Sequence, residues 1–232
     1  MPIDAVLLDV GGVFVLPDHD HIFGAFERAG LAVDRSRLDR AHYEGAANLD
    51  HFTEGDPEIW RAYNRAYARA CGVDDDDIPD AIEALFNEFS VSELWKRVVP
   101  GSRAALGRIA ALDVRTAIVS NADGTVEERL REDAICQVGP GPGIAVDTIL
   151  DSTVVGVAKP DPKIFEIALD RIGVPPERAI HVGDTPAADV VGARAAGVRP
   201  VLVDPFDLHP HRDVDRVRAL DEVADLVAAA NG

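Results

Sequence analysis

Cysteine is nearly missing from this 232-residue chain, present only as Cys71 and Cys136, and methionine occurs once. Two cysteines are too few for a disulfide framework, and their spacing suits no metal site. Lysine is confined to Lys96, Lys159 and Lys163, with arginine supplying the other basic residues, so a lysine in a useful place stands out. Basic residues are scarce altogether, 23 against 41 acidic ones, for a formal net charge of -18. Such a field repels phosphate backbones and anionic bilayers, which argues against a nucleic-acid binder or a membrane anchor. A phosphorylated substrate survives that argument, because a bound cation inverts the field locally. No apolar run approaches the length that crosses a bilayer. Met1-Pro2-Ile3-Asp4 carries no basic segment and its apolar run stops at Asp9, so no signal peptide is expected. The expectation is a soluble, cytoplasmic protein in a reducing compartment.

What is present is the balance of a folded domain: 47% hydrophobic and 28% charged residues, too apolar for a disordered chain. Ala5-Val6-Leu7-Leu8, Thr116-Ala117-Ile118-Val119 and Ala179-Ile180-His181-Val182 are short apolar runs bounded by turn residues, the pattern of buried parallel strands. Val201-Leu202-Val203 is a fourth. Helical patterns over 102–112, 124–133, 162–172, 187–196 and 221–229 lie between or after them, which predicts a doubly wound, Rossmann-like α/β core with a parallel sheet. One interval breaks the rhythm. Asp9 to Ser120 spans about 110 residues where a strand-helix-strand unit needs roughly 30. The excess reads as helices at 20–29, 35–48, 58–71 and 80–90. The predicted division is an α/β core over 1–16 plus 99–232 and an inserted, small all-helical cap over 17–98, with hinges near 13–17 and 98–101.

Ligands of open parallel sheets sit beyond the carboxyl ends of the strands. Here those ends carry Asp9, Ser120-Asn121 and Gly183-Asp184, and the loop holding Lys159 reaches the same edge. Two carboxylates form a hard-oxygen site suited to Mg2+. One of them can attack phosphorus and split a hard displacement into two steps. Ser120 and Lys159 would bind the phosphoryl oxygens, and Gly11-Gly12 lets the backbone approach closely.

These residues resemble the haloacid dehalogenase superfamily of hydrolases. Asp9-Val10-Gly11-Gly12-Val13 looks like its first motif, Val119-Ser120-Asn121 its second, and the segment from Gly156 through Lys159 to Pro162 its third. His181-Val182-Gly183-Asp184-Thr185-Pro186-Ala187-Ala188-Asp189 looks like the fourth. The resemblance implies that Asp9 is nucleophile and metal ligand. It makes the Gly11 carbonyl and Asp184 further Mg2+ ligands and gives Asp189 the motif's second acid, at or just outside the metal. Ser120, the Asn121 amide and Gly12 would then hold phosphate, and Lys159 would neutralise both the phosphate and Asp9. The helical insertion matches the small cap of one subgroup.

One position departs from the pattern. Phosphatases of this family commonly carry a second aspartate two places after the nucleophile, where this chain has Gly11. A missing general acid/base is worth about a hundredfold or more in rate. Asp18 and Asp20 are the acidic substitutes nearest in sequence. The reading is an Mg2+-dependent hydrolase of a small phosphorylated metabolite, acting through an aspartyl-phosphate on Asp9. Two alternatives stay open: a 2-haloacid dehalogenase, in which Asp9 attacks carbon without a metal, and a catalytically weakened protein that binds phosphorylated ligands. Substrate identity and oligomeric state have no sequence signature here.

Other conspicuous residues are expected to be structural. Trp60, Tyr63 and Tyr67 share one helix face and read as the core of the insertion. Asp74 to Asp77 reads as a solvated turn. His209 and His211, split by Pro210, read as a surface loop, and His19 and His21 lie near the expected entrance. Gly139-Pro140-Gly141-Pro142-Gly143 lacks the consecutive N–H donors of a phosphate-cradling loop and reads as a turn. Cys136 reads as a small buried residue.

Overall fold

A computed structural model of the chain describes every residue except 50, 52, 54, 55, 90–93 and 211. His211 and position 90, the end of the fourth expected cap helix, lie outside the described residues.

The core is a six-stranded parallel sheet. Its strands are β1 (Ala5–Leu8), β4 (Arg115–Ser120), β7 (Thr148–Asp151), β8 (Ala179–Gly183), β9 (Arg199–Val203) and β10 (Asp215–Val217), ordered β10-β9-β8-β1-β4-β7. The chain fills β4 and β7 on one side of β1, then crosses to β8, β9 and β10 on the other. The strand order thus reverses at β1, where open α/β sheets bind ligands. Leu8 stands opposite Ile118 on one side and Val182 on the other, so the residues that follow these strands meet at one sheet edge.

Both faces of the sheet are covered, as the unbroken apolar strands predict. Val6 and Leu8 point to one face, packing with Leu106 and Ile109 of α5 (Ser102–Ala110) and Val223 and Val227 of α10 (Asp221–Asn231). Ala5 and Leu7 point to the other, against Ile164, Phe165 and Ala168 of α8 (Pro162–Ile172) and Ala193 of α9 (Val191–Ala195). Each buried leucine, isoleucine or valine contributes about 1.5–3 kcal/mol. Along the outer strands run two short helices, α6 (Val126–Glu132) and α7 (Ser152–Val155).

Between β1 and β4 lie α1 (His19–Arg28), α2 (Leu38–Ala47), α3 (Pro57–Ala70) and α4 (Ile78–Phe89). They have an apolar cluster of their own, with Phe26, Leu38, Tyr67 and Leu85 fully buried at its centre. Asp18, Asp56 and Asp161 cap α1, α3 and α8 with carboxylates that accept from first-turn backbone N–H groups, each worth about 1 kcal/mol.

The structure differs from the expected elements in several places. The entry to the helical segment is not helical: β2 (Val15–Pro17) pairs antiparallel with β3 (Trp95–Val98), so a two-stranded ribbon joins the helices to the sheet. The strand β7 was unmarked in sequence, and so was the edge strand β10. A small parallel pair, β5 (Cys136–Val138) and β6 (Ile144–Val146), flanks the Gly139–Gly143 turn, where the Gln137 side chain bonds Gly139 and Gly143. The helix expected over 187–196 begins instead as a π-helical turn, Pro186–Val190, before α9. Pro186 lacks an N–H, and the Asp189 carboxylate takes the Thr185 amide.

Candidate active site

Asp9 directly follows β1 and stays in the ladder, its N–H donating to the Val182 carbonyl at 2.9 Å. The chain then turns sharply. The N–H groups of Val13, Phe14 and Val15 converge on the Val10 carbonyl, and Gly12 takes a left-handed φ of +66°. That conformation costs glycine nothing and any L side chain a penalty.

Lys159 carries the electrostatics. It is 2% exposed, and its Nζ lies 2.7 Å from Asp9 Oδ1 and 2.7 Å from Asp189 Oδ1. Asn121, just beyond β4, fixes the lysine's backbone twice: Nδ2 donates to the Lys159 carbonyl at 2.9 Å, and Oδ1 accepts from the Lys159 amide at 2.8 Å. Its side chain therefore positions Lys159, a role separate from the backbone one expected for it. Burial alone would depress the lysine, but the charges of Asp189 and Asp9 outweigh it and hold the ammonium protonated. Burial also pushes the Asp9 carboxyl up, to about 7, against the pull of Lys159.

Asp189 is fully engaged. Oδ1 receives Lys159 and His181 Nε2, the latter at 2.8 Å, and Oδ2 receives the Thr185 amide at 2.9 Å. Burial would raise it, yet Lys159 and His181 together hold it well below the usual carboxylate range. Burial keeps His181 below the ordinary imidazole value, so the neutral ring donates from Nε2 to a carboxylate that only accepts.

Asp184, just past β8, is the contrasting acid. It is buried, Oδ1 accepts from Thr185 Oγ1 at 3.1 Å, and Oδ2 has no hydrogen-bond partner. His42 Nε2 stands 2.9 Å from that oxygen but off hydrogen-bond alignment, and is itself unsatisfied. Ligand oxygens of Asp9, Asp184 and Asp189 lie within 4.8 Å of one another. A buried carboxylate oxygen with no donor, beside two more carboxylates, is satisfied by a hard cation that takes oxygen ligands. Asp9 and Asp184 fit Mg2+ on that ground. Asp189, with three donors on its two oxygens, fits the task of holding Lys159 and the Thr185 loop in place.

These groups floor a cavity of about 390 Å3 that also takes in Ser120, Asn121 and Gly11. Its opposite wall comes from the helical segment. His42 and Tyr43, on α2, reach the sheet edge, where Tyr43 donates to the Gly12 carbonyl at 2.8 Å and His42 Nδ1 meets the Tyr63 hydroxyl at 2.7 Å. Of the aromatic face expected in the core, Tyr67 is there, whereas Trp60 and Tyr63 also line the cavity. His42 had no sequence signal, being a lone histidine in an amphipathic helix.

The acids proposed to replace the missing side chain at Gly11 lie elsewhere. Asp18 is committed to capping α1, Asp20 is exposed beside Arg35, and neither lines the cavity. His19 pairs with Asp39 and Arg97, and His21 faces Glu88. His209 is a buried part of a loop whose amide bonds Asp204.

A family model described as haloacid dehalogenase-like hydrolase matches residues 3–197. Haloacid dehalogenase-like hydrolase domain-containing protein 3 of Xenopus laevis is 35% identical over 59% of this chain and 53% of its own length. Its Danio rerio counterpart is 33% identical over 73% and 67%. The chain therefore spans between half and two thirds of these relatives. A phosphoserine phosphatase of Thermus thermophilus is 52% identical over a shorter stretch, 29% of this chain and 27% of that one. Among solved structures, a phosphatase of this superfamily from Thermococcus onnurineus shares the fold at 18% identity, with a TM-score of 0.57 over 97% of this chain and 98% of that one. A 2-haloacid dehalogenase from Pseudomonas syringae does so at 22% and 0.52, over 98% and 99%. The fold is thus common to both chemistries, and the family model decides the membership: this chain belongs to the haloacid dehalogenase-like hydrolases.

Proposed function

We propose that the chain is a phosphatase for small phosphate monoesters in the cytoplasm, with Asp9 as nucleophile. One observation carries the reading: the buried Asp184 oxygen next to Asp9, which accepts no hydrogen bond and has the His42 Nε2 beside it at 2.9 Å, at the floor of a cavity whose buried cation is Lys159. A carboxylate left so is costly unless a cation joins it. Mg2+, held by Asp9, Asp184 and the Gly11 carbonyl, would supply positive charge against the transferring phosphoryl group.

The protein's own groups do the rest. An Asp9 carboxylate oxygen attacks phosphorus, the ester P–O bond breaks, and the alcohol departs, leaving an acyl phosphate on Asp9. Water then attacks phosphorus and frees inorganic phosphate and the carboxylate. Of the three N–H donors of Lys159, Asp9 and Asp189 take two, which leaves one for a phosphoryl oxygen. Ser120 and the Asn121 amide supply further donors. Glycine at position 11 provides no proton for the alcohol, so it comes from solvent, at a rate cost of about a hundredfold.

The dehalogenase alternative draws on the fold shared with 2-haloacid dehalogenases. A metal-free reaction gains nothing from a buried Asp184 oxygen that accepts no hydrogen bond, which speaks against it. Phosphate release from a panel of esters, with Mg2+ and with EDTA, separates the readings. Metal-dependent release is expected. Chloride release from 2-chloropropionate surviving EDTA, with no phosphate release, would replace the proposal.

A further inference from the structure

Resting on the phosphatase reading, the cavity wall opposite Asp9 deepens it to a substrate class. We propose that the site takes phosphate monoesters whose alcohol carries an apolar, ring-sized group, and that it rejects esters bearing a second anion.

The first support is the wall itself. Trp60 and Phe89 lie nearly parallel, 6.2 Å apart at 22°, and Tyr63 stands edge-on to both, at 5.7 and 5.1 Å. Trp95 closes the arrangement edge-on to Phe89 at 6.1 Å and also lies over Gly11, its ring 3.5 Å from where a Cβ would sit. Leu49 adds an aliphatic side. Rings prefer such offset and edge-on partners, and a cavity of about 390 Å3 is within the size that holds a small ligand. The cage is continuous with the floor, so a phosphate over Asp9 directs its alcohol into it.

The second support is charge. Among the described residues, the lysine and arginine lining the cavity are Lys159 and Arg129. Lys159 gives two donors to Asp9 and Asp189 and its third to the transferring phosphoryl group, and Arg129 sits 3.4 Å from Asp123. Asp123 and Asp133 share that rim. A carboxylate or second phosphate on the alcohol would meet Asp133, the Arg129–Asp123 pair and an apolar aromatic wall, losing its hydration where the described cations are already paired. The esters named by the phosphoserine and phosphoglycolate phosphatases among the relatives both carry such a carboxylate.

The test compares benzyl phosphate, phosphoglycolate and glycerol phosphate, all esters of unactivated alcohols, on the Mg2+-supplied protein. Benzyl phosphate is expected to show kcat/KM about tenfold or more above phosphoglycolate. Trp60 is only half-buried, so Trp60→Leu should fold and raise KM for benzyl phosphate while sparing glycerol phosphate. Trp60→Arg should move the preference toward phosphoglycolate. Preference of the native protein for phosphoglycolate, or an equal effect of Trp60→Leu on all three esters, would overturn the proposal and leave the phosphatase reading standing. No release from any ester would instead overturn the phosphatase reading. Preference is then read by fluorescence, since both tryptophans of the chain line the cavity. Tighter quenching by benzylphosphonate than by phosphonoacetate keeps the apolar preference, and the reverse order ends it.

Discussion

Gly12 and Asp184 touch: a Cβ on Gly12 would lie 2.3 Å from the Asp184 Cγ, with φ already at +66°. The loop after the nucleophile is thus packed directly on the second metal-binding candidate, and only glycine fits between them. Gly12→Ala must push Asp184 away or unwind the turn. Mg2+ affinity, measured by calorimetry, is expected to fall about tenfold or more, with a loss of about 1–3 kcal/mol in unfolding free energy. Unchanged Mg2+ affinity would remove Asp184 from the metal site.

Lys159 joins two carboxylates that are both buried. Lys159→Met leaves them without a counter-charge, which should cost about 3–5 kcal/mol in urea unfolding and abolish phosphate release. A loss under about 1 kcal/mol, the range of exposed pairs, would contradict the burial of the triad.

How far these groups could be seen in advance depended on distance along the chain. The strands ending in Asp9, Ser120 and Asp184 each carry their own apolar run and turn residue, so they were legible. The strand Thr148–Asp151 was not, because four residues after a glycine-rich turn have no period to read. The contacts of His42 with Asp184 and of Tyr43 with Gly12 join segments remote in sequence and follow from how α2 packs on the sheet edge. Trp60 and Tyr63 satisfied a helical period, but that period does not tell a core face from a cavity wall. The two-stranded ribbon has no signal of its own in either segment, because Val15–Pro17 and Trp95–Val98 become strands only by pairing with each other.

The Asp9 carboxyl, at about 7 with Lys159 beside it and no metal ion, sets a pH dependence. The folded chain holds a proton there that the unfolded chain has already lost, so this group's contribution to stability falls as pH rises from the ordinary carboxylate range through about 7. Asp189 has the opposite sign: its contribution is present above the ordinary range and is lost as pH falls below it. Attack requires ionised Asp9, so at low Mg2+ kcat/KM should rise with pH and level off above about 7. More Mg2+ should move that limb to lower pH, because cation and proton compete for one carboxylate. Profiles at two Mg2+ concentrations test this; a limb that Mg2+ leaves in place would contradict it.

Gly11 has room for a Cβ, whose nearest neighbour is the Trp95 ring at 3.5 Å. Gly11→Asp should raise kcat by about tenfold to a hundredfold by protonating the leaving alcohol. No gain in a folded, Mg2+-binding variant would mean that another group already supplies the proton.

Asp18 is a helix cap, and Asp18→Asn keeps a side-chain oxygen to accept from Asp20 and His21 while removing the acid. Its kcat should match that of the native chain, and Asp18→Ala should cost about 1 kcal/mol in stability with kcat equally unmoved. A fall of about a hundredfold in Asp18→Asn would make Asp18 the missing acid.

The central claim is covalent: phosphorus passes onto Asp9. The most direct measurement is borohydride reduction during turnover of a cleaved ester, followed by mass spectrometry of the peptide bearing position 9. An acyl phosphate there is reduced to homoserine, and that product is expected only with ester and Mg2+ present. Steady phosphate release with Asp9 recovered unmodified, together with turnover retained in Asp9→Asn, would contradict the account.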